Sequence, residues 1–158
     1  MTHNLHYQLN KCRLCESEEL SNVINLCPTP AGNNFLTDFE KDQNTEPVFP
    51  LDVNFCDECF HLQLGNVVDP DHLFKNYHFV SGTSKVNINH FDDYAEKAIS
   101  RFSLKKGSLI LDIGSNDGTC LKSFQKRGMN VLGVDPADNV AKIANENGVE
   151  TISDYFNK

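Results

Sequence analysis

Two pairs of cysteines share the spacing C-x2-C, and they are the residues of this sequence best suited to hold a metal. Cys12 and Cys15 form one pair, Cys56 and Cys59 form the other, and 40 residues separate the pairs. Each pair can place two thiolates on one tight turn, and two such turns complete a tetrahedral shell of four sulfurs, which suits zinc. A closed shell leaves no position for a reacting water, so the sequence predicts a structural zinc site.

Other roles for the cysteines remain open at this point. Iron–sulfur clusters also use cysteine thiolates at such spacings. A redox C-x-x-C motif is disfavoured because neither pair follows a strand of a βαβ unit. His61 lies two residues after Cys59 and is an alternative ligand, whereas Cys27 and Cys120 stand alone and are interpreted as small apolar residues.

A glycine-containing loop is the second feature that could do chemistry. Residues 109–119 read Leu-Ile-Leu-Asp-Ile-Gly-Ser-Asn-Asp-Gly-Thr, which predicts a strand, a turn and the start of a helix. Gly114 permits the turn, and Gly118 permits a close approach of the backbone to a ligand. A dinucleotide-binding fingerprint, G-x-G-x-x-G, would need glycine where Asn116 stands. Asp135 follows the next predicted strand and lies 21 residues after Gly114.

The cysteine pairs lie in a segment that has few apolar residues. Residues 12–59 are rich in Asn, Pro and Thr, and only short stretches, residues 23–26 and 48–55, have the composition of strands. A segment with so little apolar surface needs a further source of stability, and a bound metal is a common one.

The hydrophobic period changes in the second half of the chain. One face of an amphipathic helix is predicted by the spacing of Phe91, Tyr94, Ala95, Ala98, Ile99 and Phe102. Residues 109–113 are apolar except for Asp112, which predicts a buried parallel strand. A helix at 119–127, a strand at 130–134, a helix at 138–147 and the start of a third strand at 150–152 follow.

The sequence therefore predicts an α/β protein in three segments. Residues 1–75 form a small zinc-ribbon-like module, residues 76–106 form a bridge and an amphipathic helix, and residues 107–158 form the first βαβα part of a Rossmann-like domain, which is incomplete.

Charge and hydropathy exclude some classes of function. The net charge is −8, and residues 1–75 carry 4 basic and 12 acidic side chains. An acidic module repels phosphate backbones, so we expect no nucleic-acid partner. No apolar run approaches the roughly 20 residues of a membrane helix, and the polar start lacks the apolar region of a signal peptide. We therefore expect a cytoplasmic protein with no membrane partner.

The glycine loop resembles the first motif of class I S-adenosylmethionine-dependent methyltransferases. In this sequence the motif reads D-x-G-x-N-x-G from Asp112 to Gly118. The resemblance implies that the loop packs against the methionine part of the cofactor and that Asp112 holds its ammonium group. It also implies that Asp135 binds the ribose hydroxyls. The cofactor-binding residues predicted in this way are Asp112, Gly114, Ser115, Asn116, Gly118 and Asp135.

The chain as a whole resembles the sugar C-methyltransferase family that acts on nucleotide-linked deoxy-keto-sugars. Besides the cysteine pairs and the glycine loop, the matching stretches are residues 28–35, 49–52, 77–84 and 132–137. The resemblance implies a structural zinc, S-adenosylmethionine as cofactor, a nucleotide-linked sugar as substrate, and substrate-facing positions for Tyr77 and Ser81. Family members have more strands, an adenine-contacting loop and a catalytic base that this sequence lacks, so it resembles an N-terminal fragment. We therefore expect the chain alone to be inactive, and none of its residues is assigned a catalytic role.

Two other classes of function compete with this interpretation. The first is a zinc-dependent protein-interaction module in which the second half only packs, and tight cofactor binding would count against it. The second is a fragment of a dinucleotide-binding oxidoreductase, which Asn116 disfavours because the fingerprint has glycine at this position.

Overall fold

The computed structural model describes residues 5–32, 35–38 and 46–157 and divides the chain into two units, Met1–Leu73 and Phe74–Lys158. Asn33 and Asn34, within the matching stretch 28–35, lie outside the described residues. Among the described residues no helix is both long and apolar enough to cross a membrane. The three-segment division at residues 75 and 106 stays a prediction.

The first unit is built from two small antiparallel sheets. Strand β1 (His6–Gln8) pairs with β5 (Asn66–Val68), and β3 (Val48–Cys56) lies between β2 (Leu20–Pro30) and β4 (Leu62–Leu64). The two strands predicted at 23–26 and 48–55 are therefore present, and β2 is longer than its short apolar core suggested. A short helix, α1 (Pro70–Phe74), follows β5.

The first unit has a very small apolar core. Among its described residues, the buried hydrophobic side chains are Cys12, Phe49 and Cys56. Phe49 packs against two imidazole rings, those of His6 and His72, with ring centroids 5.8 and 5.4 Å away. Two of the three buried residues thus belong to the cysteine pairs, so this unit depends on what those cysteines bind.

The second unit is a three-stranded parallel sheet with helices. After a 3-10 turn (Ser81–Thr83), helix α2 (Lys85–Arg101) leads to the sheet, whose strand order is β6-β7-β8. In chain order the remaining elements are β6 (Leu109–Ile113), α3 (Thr119–Gln125), β7 (Asn130–Val134), α4 (Asp138–Glu146) and β8 (Thr151–Ile152). The predicted order of strands and helices is correct, with ends that differ by one or two residues.

The helices pack on one face of this sheet. Ala95 of α2, Phe124 of α3 and Met129 form one buried cluster, and Leu121, Ala144 and Val149 form another. Ile110 and Val131, which pair across β6 and β7, contact both clusters. The predicted apolar face of α2 is confirmed at Ala95, Ala98 and Ile99, whereas its predicted members Tyr94 and Phe102 are 51% and 67% exposed.

The other face of the sheet is open, which corrects one expectation. The apolar run at 109–113 predicts a strand buried on both sides, but its alternate residues Leu109, Leu111 and Ile113 are 64%, 44% and 57% exposed. The strand is also at the edge of the sheet. The composition of β6 suits a central strand, yet within the described residues nothing covers this face.

Two glycines with the same backbone conformation allow a test of packing in the second unit. Gly118 and Gly148 both have φ +76, but a Cβ on Gly118 would lie 2.9 Å from Val149 Cβ, whereas a Cβ on Gly148 would meet nothing within 4 Å. Alanine in a left-handed conformation costs about 1–2 kcal/mol. We therefore expect Gly148→Ala to lower the free energy of unfolding by about that amount and Gly118→Ala by a further ~1–3 kcal/mol from overpacking. Urea unfolding of both variants measures the difference, and equal losses would contradict the steric role of Val149.

Candidate metal centre and cofactor loop

The four paired cysteines converge on one point. One ligand atom from each of Cys12, Cys15, Cys56 and Cys59 lies within 4.8 Å of all the others. The sulfurs of Cys12 and Cys59 lie 3.5 Å apart, and those of Cys15 and Cys56 lie 3.6 Å apart. Zinc–sulfur bonds of about 2.3 Å in a tetrahedron require sulfurs about 3.8 Å apart. The donor set therefore fits zinc, and His61 is not a member of the cluster.

The two C-x2-C segments have the same backbone geometry. The N–H of Glu16 donates to Cys12 O at 3.0 Å, and the N–H of Phe60 donates to Cys56 O at 2.9 Å. Glu16 and Phe60 both have φ 63, a left-handed conformation that is unusual for such residues. The chain accepts this strain twice at equivalent positions, and in doing so it turns both cysteines of each pair toward the same point.

The sulfurs influence one another electrostatically. The N–H of Cys15 is the main cause that lowers the pKa of Cys12 to about 6. At Cys59 the N–H of His61 favours the thiolate, but the other thiols and burial outweigh it and raise the pKa to about 12. Four thiolates this close repel one another, so a dication is needed to stabilise all four in the charged form.

Gln63 supports the first cysteine pair, a role that no sequence pattern indicates. Its side chain is buried in β4, where Nε2 donates to Lys11 O at 3.0 Å and Oε1 accepts from the N–H of Arg13 at 2.9 Å. These bonds hold the residues on both sides of Cys12 against the sheet. A lone glutamine has no recognisable spacing, so only the fold reveals this role.

The glycine loop and Asp135 meet at the carboxyl ends of β6 and β7. The N–H of Gly114 donates to Val134 O at 2.8 Å, and the N–H of Asn116 donates to Asp135 Oδ2 at 2.7 Å. The other oxygen of Asp135 accepts from the N–H of Ala137 at 2.9 Å. Asp135 is buried and holds the loop in place. Each carboxylate oxygen has a second acceptor site, which leaves capacity for a ligand hydroxyl.

The two glycines of the loop have different surroundings. Gly114 is exposed at φ +78, and a Cβ there would meet nothing within 4 Å. Gly118 is buried, and its close neighbour is Val149. The close approach expected at Gly118 is therefore made to a protein side chain, while Gly114 presents backbone to the open side of the loop.

The remaining predicted loop residues lie close to the carboxyl ends of β6 and β7. Ser115 is buried, and its Oγ, which has no hydrogen-bond partner among the described residues, lies where a Cβ on Gly133 would fall. Burial and the charge of Asp135 both raise the pKa of Asp112. Burial and the charge of Asp112 raise the pKa of the Cys120 thiol to about 11, so this cysteine stays protonated in the core, as the sequence indicated.

The two predicted substrate-facing residues lie beside the same edge. Asn139, in the first turn of α4, accepts from the N–H of Tyr77 at 3.0 Å and donates to Tyr77 O at 2.8 Å. The N–H of Ser81 donates to Asn116 Oδ1 at 3.0 Å. The structure thus brings Tyr77 and Ser81 to the end of the sheet where the glycine loop and Asp135 lie.

The first unit matches a family of zinc-binding domains. Residues 12–74 match the family Methyltransf_13, described as "Putative zinc binding domain". The match includes all four clustered cysteines, so the family and the donor geometry agree on zinc.

Most of the chain is similar to a known methyltransferase. Over 148 residues, 94% of this chain, the sequence is 38% identical to the C-methyltransferase NovU of Streptomyces niveus, and the chain spans about a third (35%) of that protein's length. The structure of the plantazolicin methyltransferase BpumL in complex with SAH has a TM-score of 0.29 and 21% identity, with 45% of this chain and 34% of that chain covered. The chain is thus similar to a zinc-binding family in its first unit and to a C-methyltransferase over most of its length, so it is methyltransferase-related.

The metal centre leads to a prediction with an internal control. Cys56→Ser should abolish stoichiometric zinc and unfold the first unit, because structural zinc contributes about 10–16 kcal/mol of apparent binding free energy to a unit with almost no apolar core. Cys27→Ser, at an exposed cysteine outside the cluster, should keep both zinc and fold. Elemental analysis and NMR spectra of the two variants are the measurements. One zinc per chain in Cys56→Ser would contradict the assignment, and iron instead of zinc in the wild type would favour the iron–sulfur alternative.

The raised pKa of Asp112 leads to a second prediction. Its folded-state pKa lies above the unfolded value, so its contribution to stability is present at acid pH and is lost as the pH rises through the folded pKa. At neutral pH the charged carboxylate is therefore destabilising, and Asp112→Asn should raise the free energy of unfolding there, with the gain shrinking toward acid pH. Asp93→Asn, at an exposed carboxylate of α2, is the control. A difference in the free energy of unfolding between Asp112→Asn and wild type that stays constant across pH would refute this.

Proposed function

We propose that this chain forms the zinc-binding module and the first part of the S-adenosylmethionine-binding domain of a methyltransferase that C-methylates a nucleotide-linked deoxy-keto-sugar. The observation that carries the proposal is the contact between the glycine loop and Asp135, with 2.7 Å between Asn116 N and Oδ2. This contact places the exposed backbone of the glycine loop and a carboxylate together at the carboxyl ends of the parallel strands. Open α/β sheets bind ligands at this end.

The residues at this edge suit the parts of the cofactor. The exposed backbone at Gly114 can pack against the methionine part, and Asp135 can accept from the ribose. Asp112 is a half-buried carboxylate whose charge is destabilising in the free protein. A cationic ammonium beside it would compensate that charge, so this carboxylate fits the role that the resemblance gives it.

A dinucleotide fits this loop less well. The fingerprint needs a side-chain-free second position so that the pyrophosphate can approach the backbone. Here that position is Asn116, whose side chain bonds to Ser81 and to Phe79 O. The space above the loop is therefore shared with residues 79–81, which disfavours an oxidoreductase.

The zinc has a structural part in this proposal. Cys12, Cys15, Cys56 and Cys59 occupy all four tetrahedral positions, so the metal would hold the first unit in its fold and would not act on a substrate. A closed site of this kind supplies folding free energy only.

The open face of the sheet supports the view that more of the enzyme lies elsewhere. Leu109, Leu111, Ile113 and Ile152 are all 44–64% exposed on β6 and β8, and the relative NovU is about three times as long as the matched chain. We propose that further segments cover this face, complete the adenine pocket and supply the catalytic base. On this proposal the chain alone binds the cofactor weakly and does not turn it over.

The decisive test is a titration of the full 158-residue chain with S-adenosylmethionine and, separately, with NAD. We expect weak binding of S-adenosylmethionine and a loss of about tenfold to a hundredfold in affinity for Asp135→Ala, since a charge-assisted hydrogen bond contributes about 1.5–3 kcal/mol. Because Asp135 also holds the loop, a cofactor analogue without the ribose 2′-hydroxyl is needed as well. The wild-type protein should bind this analogue more weakly than it binds S-adenosylmethionine. The Asp135→Ala variant should bind the two with equal affinity.

The control variant for this titration is Asp93→Ala on α2, which should bind as wild type does. If the analogue binds more weakly than S-adenosylmethionine by the same factor in wild type and in Asp135→Ala, Asp135 does not contact the ribose. Preference for NAD would favour an oxidoreductase fragment, and binding of neither cofactor would favour a zinc-dependent interaction module.

A further inference from the structure

Two side chains of the glycine loop bond to the backbone of a distant segment, residues 77–83. Asn116 Oδ1 accepts from the N–H of Ser81 at 3.0 Å, and its Nδ2 donates to Phe79 O at 2.9 Å. Asp117 Oδ2 accepts from the N–H of Gly82 at 2.9 Å. The 77–83 segment is therefore attached to the loop by three hydrogen bonds that use only its backbone.

The fit between the segment and the loop is close. A Cβ on Gly82 would lie 2.6 Å from Asp117 Oδ2 and 2.8 Å from Thr119 Oγ1. Asp117 is buried, and its other oxygen accepts from the N–H of Thr119 at 3.2 Å. Any side chain at position 82 would push the segment away from the loop.

The other end of the segment is held by α4. Asn139 makes two bonds to the backbone of Tyr77, at 3.0 and 2.8 Å. None of these hydrogen bonds uses the side chains of Tyr77 or Ser81. They therefore fix the backbone positions of both residues and leave both side-chain hydroxyls available for other contacts.

Asn116 joins this attachment to the proposed ribose carboxylate. Its N–H bonds to Asp135 while its side chain bonds to the segment. The residue has φ 52, a conformation that asparagine tolerates better than most residues. Asn116 thus bonds both to Asp135 and to the 77–83 segment, so the position of the segment depends on the position of Asp135.

We propose that Asn116 and Asp117 are positioning residues that fix the 77–83 segment over the glycine loop, so that a ligand which orders the loop also orders the segment. The ligand part rests on the proposed function. In a methyltransferase this arrangement makes the substrate-facing segment well placed only when the cofactor site is formed.

The test is amide hydrogen exchange by NMR in the full chain, free and with S-adenosylhomocysteine, whose binding is measured independently by calorimetry. Asn116→Gly removes the side-chain bonds and keeps a backbone conformation that glycine adopts without strain. In the free protein we expect exchange at Ser81 to rise roughly fivefold to tenfold while amides of α3 and α4 keep their rates. Asp117→Ala should do the same at Gly82, and Asp117→Asn, which keeps an acceptor, should restore most of the protection.

The control is Asn89→Ala on the exposed side of α2, which should leave exchange at Ser81 unchanged. The ligand should slow exchange at Ser81 and Gly82 in wild type and have little effect there in Asn116→Gly.

The outcomes separate this proposal from the proposed function. Unchanged exchange at Ser81 in free Asn116→Gly overturns the positioning role, whatever the protein binds. Ligand binding that leaves the 77–83 segment unaffected overturns the coupling while the proposed function stands. Absence of binding removes both the proposed function and the coupling, and the free-protein comparison still decides the positioning role.

Discussion

The carboxylate of Asp135 is the constraint on which the proposed cofactor site of the second unit depends. Its two oxygens accept from backbone N–H groups on both sides, those of Asn116 and Ala137. Buried backbone donors must be satisfied, and a carboxylate that accepts from two of them is held between them. The loop after β6 and the turn after β7 therefore have one relative position. Asn116, fixed in this way, presents its side chain to the segment that carries Tyr77 and Ser81.

The first unit is stable for a different reason. Its described residues bury one aromatic ring and two cysteines as their apolar core, which is too little to offset the loss of conformational entropy in a unit of this size. When the four sulfurs bind a dication, the binding free energy supplies the stability that an apolar core would otherwise provide. The paired left-handed residues Glu16 and Phe60 show that the backbone tolerates local strain to bring the sulfurs together. Gln63 then holds the first pair against β4.

Two groups at the proposed cofactor site are unfavourable for the stability of the free protein. Burial and the nearby charge of Asp135 raise the pKa of Asp112, and the Ser115 hydroxyl is buried without a partner among the described residues. A core selected for stability alone would avoid both. Such unfavourable groups cluster where ligands bind, because the ligand supplies the missing partner.

The sequence by itself determined the features that depend on local spacing. The C-x2-C pairs, the order of strands and helices from Phe91 onward, and the glycine turn all follow from neighbouring residues, because bond geometry and hydrophobic period act over a few positions. The tertiary structure decided which distant groups meet. Asn116 and Asp117 reach residues 79–82, Asn139 reaches Tyr77, Gly118 packs on Val149, and one face of β6 stays open. These partners are about 30–60 positions apart, and no local pattern encodes which of many polar side chains the closed chain brings together.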